Sequence, residues 1–271
     1  MNNKKRFEKI LSDIKNLKIQ GARNIAKAAL YAYSIYPEKD ARQKLISARP
    51  TEPMLFNVME RIENQSYKKI LFHFDHAQEK INHIVMKTIK NRDVIFTHCH
   101  STNVINALIH AKKSGKNFEV YNTETRPMFQ GRKTANELRK AGIKVTMFVD
   151  SALGIALSKE QGTKKADKIF IGADALLKKG IVNKVGSGII AKIARMEKIP
   201  VFIIADSWKY TPDKLKLEQR NLNEIWSNVP KNIRIKNPAF EFVPKKYITK
   251  IISELGILSY DKFLREVGKS K

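Results

Sequence analysis

No stretch of about 18 apolar residues occurs anywhere in the 271-residue chain, which excludes a membrane-spanning helix. Residues 1–6 are basic, but no continuous apolar stretch follows them, so no signal peptide is expected. There is a single cysteine, Cys99, so no internal disulfide can form. That fits a reducing, cytoplasmic location and leaves the thiol available for chemistry. With no second cysteine a zinc site is not expected, although His73, His76 and His83 share one expected helix. The sequence has no GxGxxG and no P-loop lysine motif, so nothing supports use of a dinucleotide or ATP. Internal repeats and low-complexity segments are also missing.

Acidic residues are scarce. Against 26 Asp and Glu stand 52 Lys and Arg, a formal net charge of +26. Such an excess invites a nucleic-acid reading. However, 39 of the 52 basic residues are Lys, spread over nearly every expected helix rather than gathered into one stripe. They read as solvated helix faces that attract anionic small molecules. Any nucleic-acid binding is expected to be weak, non-specific and confined to low salt.

At 42% hydrophobic residues the chain can bury a substantial core. Up to about residue 91 it reads as helices, over 4–18, 22–33, 40–47, 54–63 and 66–90. Each carries apolar residues at helical spacing, as Phe7, Ile10, Leu11, Ile14 and Leu17 do in the first. From residue 92 short apolar runs alternate with helical ones. Strands are expected at 94–97, 118–121, 143–149, 169–171 and 201–204. Helices are expected through Leu108 to about 113 and over 133–140, 152–157 and 188–196, and helical pieces over 247–255 and 260–267 close the chain. The fold class is therefore α/β, with a helical N-terminal domain (1–91) followed by a Rossmann-like, doubly wound parallel sheet (92–271). Ligands of such sheets sit beyond the carboxyl ends of the strands.

Those ends are polar. Thr97-His98-Cys99-His100-Ser101-Thr102-Asn103 places a thiol just before a helix N-terminus, where free N–H groups favour an anion and are expected to acidify the thiol. In an extended segment His98 and His100 would point away from Cys99. The next strand end offers Arg126 as a phosphate clamp, with Pro127 and Gly131 as bends and Arg132 nearby. Gly172-Ala173-Asp174 presents a carboxylate. In Asn183-Lys184-Val185-Gly186-Ser187-Gly188, small residues let the backbone approach a ligand, and Lys184 adds a charge. Lys209 follows the last strand. A thiol, a carboxylate and several cations at one rim point to a phosphorylated small molecule.

In these turns the sequence resembles the family that contains ribose-1,5-bisphosphate isomerase, methylthioribose-1-phosphate isomerase and the regulatory α, β and δ subunits of eukaryotic initiation factor 2B. The resemblance runs through Gly21-Ala22, Ala48-Arg49-Pro50-Thr51, Thr97-His98-Cys99, Thr125-Arg126-Pro127 with Gln130-Gly131, and Gly172-Ala173-Asp174. It continues in Asn183-Lys184-Val185-Gly186, Asn237-Pro238-Ala239-Phe240 and Glu254-Leu255-Gly256. It implies Cys99 as proton acceptor and Asp174 as proton donor, a pair that the initiation-factor subunits typically lack. It further implies that Arg49, Ser101, Thr102, Asn103, Asn183, Lys184 and Lys209 hold the substrate, with help from Gln20, Gly21, Ala22 and Arg23. Here the chain departs from the family, which usually has arginine where Gln20 stands; Arg23 is the nearest replacement. The segment 48–51 and the Ser101 turn look more like the ribose-1,5-bisphosphate enzyme. The implied activity is aldose–ketose isomerisation of ribose 1,5-bisphosphate to ribulose 1,5-bisphosphate in nucleotide (AMP) salvage. It needs no metal or redox cofactor, and the implied assembly is a homo-oligomer, a dimer or a hexamer. The alternatives are a non-catalytic regulatory subunit that senses a sugar phosphate or nucleotide, and a methylthioribose-1-phosphate isomerase.

Overall fold

The computed structural model describes residues 2–269 apart from 213, 214, 216 and 218, so positions 1 and 271, the outer limits of the two expected domains, lie outside the described residues. Five helices come first: α1 (Asn3–Lys15), α2 (Ala22–Ile35), α3 (Ala41–Ala48), α4 (Pro53–Arg61) and α5 (Tyr67–Thr88). Local chemistry sets their starts. Asn2 and Ser66 accept the Lys5 and Lys69 N–H groups as N-caps of α1 and α5, and Pro53 opens α4, where its missing N–H costs nothing. Helix α5 belongs to two cores. Its Ile70 and Phe74 pack with α1–α4, whereas Ile81 and Val85 pack against the sheet.

The sheet strands are β1 (Val94–Thr97), β2 (Glu119–Thr123), β3 (Lys144–Phe148), β4 (Lys168–Ile171), β7 (Val201–Ile204), β9 (Lys250–Ser253) and β10 (Gly256–Leu258). Three further strands, β5 (Ala175–Leu176), β6 (Gly180–Lys184) and β8 (Phe240–Pro244), form a small antiparallel sheet beside it. In the large sheet the order is β10-β9-β7-β4-β1-β2-β3, parallel except for β10. Helices α6 (Thr102–Lys113), α7 (Gln130–Lys140), α8 (Leu153–Leu157), α9 (Ser187–Met196) and α10 (Tyr260–Lys269) complete the chain. Strand order reverses between β1 and β4, which opens a crevice beyond their carboxyl ends. No described helix is long and apolar enough to cross a membrane.

Two expectations need correction. Residues 247–255 are not a helix: they form a short 3₁₀ turn and strand β9. Ile248, Ile251, Ile252 and Leu255 fall at helical spacing, but Ile251 and Ile252 are β-branched and both buried, and Gly256 at φ 119° turns the chain into β10. The small sheet β5-β6-β8 was also not expected. Its strands are two to five residues long and one of them comes from far along the chain, so no local alternation marks it.

The seam between the helices and the sheet is built around Trp208. His73 of α5 stacks on its ring at 3.5 Å, 3° from parallel, and the Arg61 guanidinium lies over the ring at 4.4 Å. His73 Nε2 also lies 3.1 Å from Asp206 Oδ1, and the Asn57 amide donates to the Trp208 and Tyr210 carbonyls at 2.7 and 2.9 Å. The residue between those two carbonyls is Lys209.

Candidate active site

Cys99 and Asp174 emerge at the two lips of the crevice. Cys99 follows β1 and Asp174 follows β4, and these are the neighbouring strands between which the order reverses. Both line one cavity of about 190 Å³, far more than the roughly 10–15 Å³ that one water needs and suited to a small solute. Cys99 takes a left-handed backbone, φ 66°. This turns the chain sharply off the strand, and α6 starts three residues later.

Ser101 caps α6 in position only, because its side chain makes no capping bond. Its hydroxyl is buried against Gly172 and has no partner among the described residues; Gln130 Oε1, also on the cavity wall, is in the same condition. Buried polar atoms without partners, beside the free N–H groups of a 12-residue helix, fit an anionic, hydroxyl-bearing ligand.

The cations converge from several elements. Lys184, at the end of β6, is 4% exposed, and Lys209 is 7% exposed with its ammonium donating to the Ala173 carbonyl at 2.7 Å. Arg49, the C-cap of α3, is 9% exposed with Nη2 3.7 Å from Glu52 Oε1. With its nitrogen facing the cavity, the Asn183 amide donates to Asp174 Oδ2 and the Gly172 carbonyl, both at 3.3 Å, and its oxygen accepts from Ser187 at 2.8 Å. Asp174 is thus aimed by Asn183 from β6 and by its own N–H, which donates to the Val182 carbonyl.

The thiol is not acidified. Burial first, and then the negative charge of Asp174, pushes Cys99 from 9.0 up to about 12, while Lys184 pulls it the other way. This corrects the expectation drawn from the helix N-terminus. The carboxylate charge of Asp174 thus opposes formation of a thiolate at Cys99.

Most of the other expected site residues reach the cavity. Gln20, Gly21, Ala22, Arg23, Thr102 and Asn103 line it. Gln20 turns its amide to the Leu17 carbonyl, Arg23 pairs with Asp75 at 2.5 Å, and Asn103 gives its amide to Gln78. Arg126 does not reach it. It is exposed, its guanidinium lies 4.9 Å from the centre of the Phe129 ring, and Arg132 covers the same ring at 3.6 Å while pairing with Glu124. The N-terminus of α9 is not an open anion site either. Glu241 Oε1 accepts from the Gly186 and Gly188 N–H groups at 2.6 and 2.9 Å and fills it.

Sequence reasoning missed Glu52, Gln130, Lys133 and Arg220 on the cavity wall. Gln130 and Lys133 share one face of α7 at i, i+3, a signal that was readable once the helix start was placed. Arg220 lies in a stretch with no periodicity, and nothing local marks it.

Residues 38–260 match the initiation factor 2 subunit family. The chain belongs to that family. The ribose 1,5-bisphosphate isomerase of Methanocaldococcus jannaschii is 34% identical, the match covering 94% of this chain and 91% of the relative. The protein of the same name from Thermococcus kodakarensis is 32% identical, with 92% and 89% covered. The solved Pyrococcus horikoshii structure described as translation initiation factor eIF-2B superposes with a TM-score of 0.83 at 27% identity, covering 94% of this chain and 97% of that one. Membership therefore spans enzymes and translation factors. The near full-length similarity to the family's isomerases supports an isomerase enzyme.

Proposed function

We propose that this protein isomerises ribose 1,5-bisphosphate to ribulose 1,5-bisphosphate, with Cys99 as base and Asp174 as acid. The observation that carries the reading is the placement of these two residues on opposite lips of one cation-lined crevice.

The substrate carries a phosphate on its anomeric oxygen and cannot open to a free aldehyde. Asp174 protonates the ring oxygen as its bond to C1 breaks, while the Cys99 thiolate removes the C2 proton. An enol with its C1 phosphate intact results. The thiol then returns the proton to C1, and the enol hydroxyl gives its proton back to Asp174 as the C2 ketone forms. Every proton is accounted for, and the active state is the thiolate facing a carboxylic acid. That state differs from a thiol facing a carboxylate only in where one proton sits, so it forms with the net charge of the pair unchanged. Each group contributes about 10²–10⁴-fold in rate.

Lys184, Lys209, Arg49 and Lys133 all line the cavity, cations enough for two phosphates. This favours the bisphosphate over methylthioribose 1-phosphate. The reading places the reaction in nucleotide salvage, in the cytoplasm, by a homo-oligomer. Exposed apolar residues such as Met147 and Val149 on and beside the edge strand β3 support self-association.

A regulatory subunit is the second reading, and Gln20 favours it, because its amide is spent on the Leu17 carbonyl at the place where the resemblance implies a phosphate-binding arginine. The test is a panel of α-ribose 1,5-bisphosphate, methylthioribose 1-phosphate and AMP, each followed for ketose formation and for binding. Ketose from the bisphosphate alone is the expected result. Tight binding of a nucleotide with no ketose from either sugar would overturn the isomerase in favour of the sensor.

A further inference from the structure

Each of the two histidines that flank Cys99 is tied back to its backbone through threonine hydroxyls. On one side the Cys99 N–H donates to Thr125 Oγ1 at 3.0 Å. Thr125 Oγ1 lies 3.4 Å from Thr123 Oγ1, which lies 2.6 Å from His98 Nδ1. On the other side the Thr134 hydroxyl donates to the Cys99 carbonyl at 2.8 Å, and His100 Nδ1 lies 3.2 Å from the same hydroxyl oxygen.

Proton directions follow from what each group can do. His98 Nε2 faces the Val185 carbonyl at 2.9 Å, which can only accept, so Nε2 carries a hydrogen. Burial lowers the His98 pKa, the ring is neutral, and Nδ1 is left to accept from Thr123. Thr134 spends its single proton on Cys99 and therefore takes one from His100 Nδ1. Both tautomers are fixed, and both peptide groups of Cys99 are held.

The backbone needs this support. Cys99 and Thr125 have φ of 66° and 61°, and Thr125 is β-branched. Each such residue costs about 1–3 kcal/mol and persists only where its surroundings over-determine it. Here Asp150 does so for Thr125, its two oxygens accepting the Thr125 and Arg126 N–H groups at 2.9 and 2.6 Å. The backbone conformation of Cys99 sets the direction of its Cα–Cβ bond, and hence of Sγ.

We propose that Thr125 and Thr134 are positioning residues, which clamp the peptide groups on either side of Cys99 and so aim its thiol at the substrate. The proposal rests on Cys99 being the proton acceptor. Thr→Val keeps the shape and deletes the hydroxyl, whereas Thr→Ser keeps the hydroxyl.

Thr125→Val and Thr134→Val are each expected to lower kcat by up to about 100-fold with KM within about twofold, and the Ser variants to stay near wild type. A second readout needs no turnover. Cys99 is the sole cysteine, so the pH dependence of iodoacetamide alkylation follows that thiol alone. The Val variants are expected to alkylate faster at pH 8, with the apparent thiol pKa moved down, because a loosened turn lets the sulfur reach water; the Ser variants are not. Where a Val variant does not fold, Thr→Ala against Thr→Ser makes the same comparison.

Wild-type kcat and alkylation in the Val variants would overturn the proposal. So would Ser variants that fail as the Val variants do, because shape rather than the hydroxyl would then be responsible. If the wild type turned over no ribose 1,5-bisphosphate, the alkylation series would still decide the clamp, so the two failures are told apart.

Discussion

Gly172 and Ser101 pack so closely that a Cβ on the glycine would stand 2.5 Å from the serine hydroxyl and 2.7 Å from its Cβ. Gly172 directly follows β4, and Ser101 precedes α6, so this contact sets how near the first turn of α6 comes to the strand end that leads to Asp174. Gly172→Ala must displace Ser101. The expected outcome is a KM at least about tenfold higher, with stability lowered by about 1–3 kcal/mol as for other overpacked sites. Steady-state kinetics beside urea unfolding checks both; an unchanged KM would detach Ser101 from substrate binding.

Asp174→Asn removes a negative charge that holds the Cys99 pKa up. Its thiol pKa should then fall from about 12, and alkylation at pH 8 should quicken, even though turnover is lost. Stability carries the same sign. Cys99 has its folded pKa raised, so the stability tied to the neutral thiol is complete below the unfolded value near 9.0 and is lost as pH rises toward 12. Cys99→Ser should accordingly lose less stability than wild type between pH 9 and 11, measured by urea unfolding at stepped pH.

Asn57 holds the carbonyls on both sides of Lys209. Asn57→Ala strips two buried acceptors of their donor and is expected to cost about 1–3 kcal/mol of stability. Because Lys209 is freed to move, KM should rise as well. Lost stability with an unchanged KM would leave the seam structural but not functional.

Gln20→Arg supplies the arginine that the resemblance implies at this position, and it should lower the KM for the bisphosphate. Arg23→Ala should raise KM by less than about threefold, since Arg23 is held by Asp75 and lies over the Phe74 ring. A larger rise would mean that Arg23 releases Asp75 to bind phosphate and replaces the missing arginine.

The strand-end rule makes much of this site legible in the sequence. Val94–Thr97 and Lys168–Ile171 are short, wholly buried runs, and whatever follows them must face the crevice, which locates Cys99 and Asp174 without any knowledge of packing. What could not be read depends on distant partners. The thiol's high pKa comes from burial and a carboxylate 75 positions away, and the loss of the α9 N-terminus as an anion site comes from Glu241, more than 50 positions on. Arg126 was misplaced because a loop arginine at a strand end has two ways to turn. Asp150 and Phe129 fix it outward. Strand β9 was misread because four apolar residues at helical spacing look the same in either element until a neighbouring strand, here β7, supplies the pairing.

The most direct test follows ribose 1,5-bisphosphate by carbon NMR with the wild type, Cys99→Ser and Asp174→Asn side by side. The account predicts that a ketone resonance at C2 grows with the wild type and that both variants are slower by at least about 100-fold. Undiminished ketone formation by both variants would contradict it.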